Sequence, residues 1–167
     1  MTDRPRPEEY APFYAGYIDA VPDVDLFETL ETQPVELDQL LAEADPDYAY
    51  EPGKWTVLQV IQHMADTERV FAFRALWWAR GETSPLAGFD QDEWMPHAPE
   101  QSLGEAFTEF LAIRASALAL LQPLAPEAWG RGGEASGHHM TVRAAAWVLA
   151  GHVEHHTRIL RERYGLG

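Results

Sequence analysis

The chain has no cysteine. Disulfides, thiolate–zinc sites and a cysteine nucleophile are therefore excluded, and any thiol chemistry would need a thiol from outside. Basic residues are scarce: 12 Lys and Arg stand against 27 Asp and Glu, a formal charge of −15 over 167 residues. A surface that acidic repels phosphate backbones and anionic lipid, so neither nucleic acid nor a membrane surface is expected as a partner. The opening stretch "MTDRPRPEEYAPFY" has no apolar core segment, and no signal peptide is expected. No apolar run approaches the roughly 20 residues that span a bilayer. A cytoplasmic protein is the expectation, in keeping with the missing cysteines.

What is present argues for a packed globule. The hydrophobic fraction is 46% and there are six tryptophans, enough for a single domain over 1–167 with a core of its own. Pro5, Pro7, Pro12 and Pro22 prevent a long helix near the start, where Tyr10, Phe13, Tyr14 and Tyr17 can pack a partly ordered arm. A first helix is expected over 23–44, with Leu26, Leu30, Leu37, Leu40 and Leu41 as its stripe and Pro34 as a kink or irregularity. The spacing of Thr56 and Gln59 predicts a capping box at the start of a second helix that stops at Gly81.

Residues 82–100 are rich in proline and glycine and read as a loop, long for a bundle connection and therefore a candidate cover for a site. Asp90 and Asp92 lie within it. Ser102 and Glu105 predict a capping box for a third helix over 102–122. The segment "PLAPEAWGRGGEASGHH" breaks the pattern, and a fourth helix runs from 141 to 164, ended by Gly165. No strand is expected. The fold class is all-α: a four-helix bundle with up-down-up-down order and long inter-helix loops.

The stretch "GHVEHHTRIL" carries three histidines in five positions. With Val142 at zero, the apolar stripe of the last helix runs through Leu149, Val153 and Leu160, and His156 falls inside it at about 320°. His152 falls at its edge, about 280°, and His155 on the outer side, about 220°. His152 and His156 are therefore expected to face the interior, one turn apart, where two imidazoles can share a cation. A third histidine from a facing helix would complete a set with open positions, the layout of a catalytic rather than a structural site. Neutral imidazole suits zinc, nickel, copper or iron.

On the second helix, with Val57 at zero, His63 flanks the stripe at about 240° while Glu68 lies within it at about 20°. A buried carboxylate needs a partner. Arg74, Arg114, Arg143 and Arg158 are the candidates. His97, His138 and His139 read as exposed loop residues, and Trp55, Trp77, Trp78 and Trp147 as core.

These segments, in this order, resemble the DinB/YfiT-like superfamily of four-helix bundles, closest to its YfiT branch. "GKWTVLQVIQHMADTERVFAFRALWWARGE" is similar to the tryptophan-led second helix with its H-x-x-D-x-E core. "PLAGFDQDEW" is similar to the loop that follows it, and "MTVRAAAWVLAGHVEHHTRILRERYG" to the closing H-x-x-x-H helix. The resemblance implies one metal ligand in the second helix and two in the last: His63, His152 and His156. It implies a divalent metal, zinc or nickel foremost, and a small-molecule substrate. It also implies either of two activities, a metal-dependent hydrolase or a transferase that uses a low-molecular-weight thiol such as bacillithiol or mycothiol. A non-catalytic metal-binding bundle, or an interaction module working as a homodimer, is the remaining alternative. Asp66, Glu68 and, more weakly, Glu154 are the carboxylates that could orient an imidazole through its second nitrogen.

Overall fold

The computed structural model describes residues 3–167. Among the described residues there are six α-helices: α1 (Ala15–Ala20), α2 (Leu26–Leu41), α3 (Val57–Ala79), α4 (Gln91–Trp94), α5 (Leu103–Leu121) and α6 (Val142–Glu162). The four long ones, α2, α3, α5 and α6, form the bundle. Each of these begins at a side-chain cap. Asp25 and Thr141 accept backbone N–H groups at α2 and α6. The capping boxes Thr56/Gln59 and Ser102/Glu105 both form, at α3 and α5. These caps satisfy amide groups that a helix start otherwise leaves open. Gly81 and Gly165, at φ +89° and +71°, take the left-handed conformation just past α3 and α6.

α3 packs against both α5 and α6, and α2 completes the square by packing against the other sides of the same two helices. Val57, Val60 and Ile61 of α3 share one apolar cluster with Ala106 and Phe110 of α5. Phe71, Ala75 and Trp78 share the other with Ala117 and Leu121. α3 and α5 therefore run in the same direction. By the same reading α2 and α6 both run the opposite way, from the cluster of Leu26 and Val142 to that of Leu40 and Leu160. The order is up-down-down-up rather than the expected up-down-up-down. The segment after α3 makes this possible. A helix of 23 residues is about 35 Å long at 1.5 Å per residue, and some twenty residues of irregular chain can return over that length.

The expected all-α class also needs amending. Gly132–Ala135 (β1) and His138–Thr141 (β2) form an antiparallel hairpin, in register Gly133 to Met140, so His138 and His139 lie on a strand although both remain exposed. The turn is Ser136–Gly137, with φ of 55° and 77°, the geometry that matches hairpin twist. Leu86 pairs alongside Ala135, which ties the 82–100 segment to the hairpin. Trp78 explains the second glycine of β1: a Cβ on Gly133 would lie 2.5 Å from the indole nitrogen.

The arm is bound to the body of the domain. Arg4 donates to the carbonyls of Ile18 and Val21 and lies over the Trp147 ring. Glu9 accepts from Thr141 and Arg143, joining the arm to the start of α6. α1 itself lies against α6 so closely that a Cβ on Gly151 would fall 2.0 Å from the Tyr17 carbonyl oxygen.

Of the four arginines proposed for Glu68, the partner is Arg114. Its Nε and Nη2 donate to the two carboxylate oxygens at 2.5 and 3.0 Å, with both side chains almost fully buried. Nη1 donates to Gln33 Oε1 and to the Leu30 carbonyl, each at 2.9 Å. Pro34 is what frees that carbonyl, since proline has no N–H to donate to the residue four before it. Gln33 in turn donates to the Ala150 carbonyl and to Glu154, both at 2.8 Å. One connected set of hydrogen bonds thus joins all four long helices.

Removing one partner of a buried ion pair leaves the other unpaired, at about 3–5 kcal/mol. Arg114→Met is accordingly expected to lower the thermal midpoint strongly, and a second change, Glu68→Leu, to recover part of the loss by removing the orphaned charge. Calorimetry of the two variants checks this; a midpoint unchanged by Arg114→Met alone contradicts it.

Candidate metal centre

His63 comes from the second turn of α3, and His152 and His156 from successive turns of α6. All three are buried. Their Nε2 atoms converge: His63 to His152 is 3.0 Å and His156 to His152 is 3.1 Å. One nitrogen from each ring lies within 4.8 Å of the other two, and among the described residues no other group of three potential ligands comes together in this way. The structure thus brings together the three histidines that the sequence pattern indicated. His155 is not among them. It lies half-buried, edge-on to Tyr17 with ring centroids 5.2 Å apart.

Burial sets the protonation of this cluster. Desolvation pushes His63 down to about 4, with a smaller contribution from the positive charge of His155. Desolvation first, then mutual repulsion among the rings, holds His152 and His156 well below the ordinary histidine range. At neutral pH all three are uncharged, as a ligand must be. Three neutral imidazoles whose Nε2 atoms face one another cannot satisfy each other by hydrogen bonds alone, because each shared proton serves only one pair.

A cation does satisfy them. Tetrahedral bonds of about 2.0–2.1 Å place neighbouring nitrogens about 3.3 Å apart, close to the spacing found. The donor set therefore fits a divalent metal. His156 Nδ1 is buried without a hydrogen-bond partner, a cost that a bond from its Nε2 to a cation would offset.

The carboxylates considered for the second nitrogens are occupied elsewhere. Asp66 lies 3.6 Å from Arg69 on a partly exposed face. Glu68 is committed to Arg114, and Glu154 accepts from Gln33. None of them hydrogen-bonds an imidazole. The polar atom nearest a second nitrogen is the hydroxyl of Thr67, 3.5 Å from His63 Nδ1. Thr67 sits one turn after His63, so its position was readable from spacing, but a threonine carries no signal by itself. Trp55, expected in the core, is only partly buried, and its ring lies against His63 at 4.8 Å.

Two cavities flank the cluster. One, of about 210 Å³, is walled by His63, His152, Thr67, Phe71, Val148 and Ser136, by Phe13, Tyr14 and Tyr17 of the arm, and by Phe89 and Gln91 of the 82–100 segment. That segment lines this cavity through Phe89 and Gln91 and the second cavity, described next, through Asp92. Asp90 instead caps α4. The other cavity, of about 460 Å³, reaches His156 and includes Trp55, Tyr164 and Asp92. Among the described residues no helix is long and apolar enough to cross a membrane.

A family model described as the DinB superfamily matches residues 29–160. Among solved structures, YfiT from Bacillus subtilis aligns over 99% of this chain and 95% of its own, with a TM-score of 0.72 and 21% identity. That protein is described as a probable metal-dependent hydrolase with an unusual four-helix bundle topology. The likeness extends to the fold. No curated protein matches the sequence.

Because the folded state keeps His63 near 4 while the unfolded histidine titrates near 6.5, the unfolded chain binds more protons between those values. Stability then rises with pH across this window and is lost as pH falls from about 6.5 towards 4. Thermal unfolding of chelator-treated protein at pH 7 and at pH 5 should show the lower midpoint at pH 5. His152 and His156 shift in the same direction and add to the effect. Equal midpoints would contradict a neutral buried cluster.

Proposed function

This chain is a member of the DinB superfamily, and from that premise we propose that it is a metal-dependent enzyme of hydrolase type, acting on a small molecule. His63, His152 and His156 hold the metal. The observation that carries this reading is the convergence of three buried, uncharged imidazole nitrogens between two cavities, one walled by His63 and His152 and the other reaching His156. Three neutral imidazoles suit zinc or nickel, both common with nitrogen ligands. A divalent ion bound there supplies Lewis acidity, polarising a carbonyl-type oxygen or acidifying water.

The chain's own residues do the rest. Thr67 lies beside the ring of His63, its hydroxyl 3.5 Å from Nδ1. Tyr17 and Phe71 keep one side of the cavity apolar, and Glu68 and Arg114 hold the helices that carry the ligands. Asp66, Glu68 and Glu154 act on the site only through the bundle, given their present partners.

A second reading, transfer to or from a low-molecular-weight thiol, is favoured by the pair of cavities that reach the histidines from two sides. Two reactants have separate approaches, and the missing cysteine requires the thiol to come from solution. Turnover measured with and without added small thiol separates the two. Hydrolysis proceeds without it, whereas transfer depends on it. Metal binding with no turnover on either kind of substrate panel would point instead to a non-catalytic bundle.

The ligand assignment is tested by elemental analysis of purified wild type beside His156→Ala. About one equivalent of zinc or nickel is expected in the first and a loss of most of it in the second. Wild-type protein that stays metal-free after incubation with either ion rules the assignment out.

A further inference from the structure

α3 and α5 pack side by side, and over a long stretch neither presents a charge to solvent. Residues 70–79 of α3 contain one charged residue, Arg74, and residues 110–121 of α5 contain one, Arg114. Both are buried. Residues 83–89, whose Leu86 and Ala87 lie against α3, contain none. The outward surface of these three stretches is therefore uncharged, in a chain that is 23% charged and carries −15. Phe73 stands at its centre and is 48% exposed. A groove of about 470 Å³ runs on the α5 side of Phe73, lined by Ala72, Leu76, Ala112, Ile113 and Ser116. A second groove, of about 360 Å³, lies on its other side against Val70, Leu86 and Trp94. Trp94 is 44% exposed, and Leu76 also reaches solvent. Arg74 apart, charged side chains line the two grooves only at one end, where Arg69 reaches Glu109 at 2.6 Å and Asp66 at 3.6 Å.

Single apolar side chains on a surface are ordinary, but a contiguous apolar face marks a contact. Its composition narrows the partner. Interfaces that form and separate are about as polar as the rest of a surface. Permanent ones, homodimers above all, lose their charged residues and resemble a divided core. A permanently covered face needs a partner made in equal number, and a second copy of the same chain meets that need. Charge points the same way. A basic partner calls for carboxylates within the face, and this face has them only at its end. Two copies carry −15 each and repel one another, so they meet best where neither presents a charge. The face also holds both halves of a self-complementary contact. A protruding ring, Phe73, stands beside a groove with the small residues Ala72, Ala112 and Ser116, and a two-fold axis sets one against the other.

We propose that this face is the interface of a two-fold homodimer, in which Phe73 of each copy enters the groove between α3 and α5 of the other and Trp94 covers the edge. The proposal does not rest on the metal reading above. Trp94 packs against Phe89, a wall of the histidine cavity, with ring centroids 4.9 Å apart, so the covered face adjoins the site.

The test is sedimentation velocity of the full chain over a range of about 1–100 µM. Wild type should sediment at twice the 18.8 kDa chain mass, with a Kd of about 1 µM or tighter. Phe73→Asp puts a charge into the contact and should raise that Kd about hundredfold or more, the range of a central aromatic anchor. Ser116→Arg obstructs the groove that receives the ring and should do the same; it decides the matter if Phe73→Asp does not fold. Val35→Asp, at a residue 59% exposed on α2 and away from this face, should change the Kd less than about twofold. All three substitutions are at exposed positions, so circular dichroism should show wild-type helix content in each variant.

A wild type that stays monomeric at about 100 µM overturns the proposal and leaves the face to a different protein. It is overturned equally if the dimer survives either Phe73→Asp or Ser116→Arg with its Kd unchanged, or if Val35→Asp weakens the dimer as much. Growth into open chains instead of a closed pair also overturns it, because a two-fold contact closes on itself.

Discussion

The buried guanidinium of Arg114 fixes the axial positions of four helices at once. It reaches Glu68 on α3 and Gln33 and the Leu30 carbonyl on α2, while Gln33 passes the connection to Ala150 and Glu154 on α6. Apolar packing alone tolerates sliding of one helix past another at modest cost. A charge pair with all three guanidinium nitrogens hydrogen-bonded does not, because a shift leaves buried polar atoms open. Glu68 is five residues from His63, and Glu154 lies between His152 and His156. The same contacts that register the bundle therefore bring the Nε2 atoms to about 3 Å. A proline in the middle of α2, unfavourable in isolation, supplies the free carbonyl that this arrangement uses.

Around that frame the site is assembled from segments distant in sequence. The arm contributes Tyr17, held against α6 by the bare backbone of Gly151. The segment after α3 contributes Phe89 and also returns the chain so that α5 runs parallel to α3. The hairpin contributes Ser136. The bundle thus presents ligands from two antiparallel helices, α3 and α6, and closes the space beside them with irregular chain. Rigid elements hold the imidazoles and loops shape the cavity, a common division between scaffold and site.

Helical periodicity carried much of this. Capping boxes, glycine stops and the apolar stripes located α3, α5 and α6 to within a few residues, and the wheel turned His152 and His156 inward and His155 away. It located the buried Glu68 as well, although four arginines remained possible partners, because a wheel gives rotation about one axis and no distance between axes. Helix direction was not readable for the same reason: a 20-residue connection can either turn back at once or cross the bundle. The hairpin escaped because its strands have four residues and its turn lacks the Asn-Gly or Asp-Gly signature. The carboxylates near the histidines in sequence carry no orienting role through direct contact, since stronger cationic or amide partners lie closer. Thr67 was equally invisible as a site residue.

If three imidazoles share one divalent ion, X-ray absorption at the metal edge of zinc- or nickel-loaded protein reads it out directly. The expected first shell contains three imidazole nitrogens at about 2.0–2.1 Å, with the remaining positions filled by light atoms from solvent or buffer. A shell with one histidine or none, or one made up of carboxylate oxygens from the acidic surface, would contradict it.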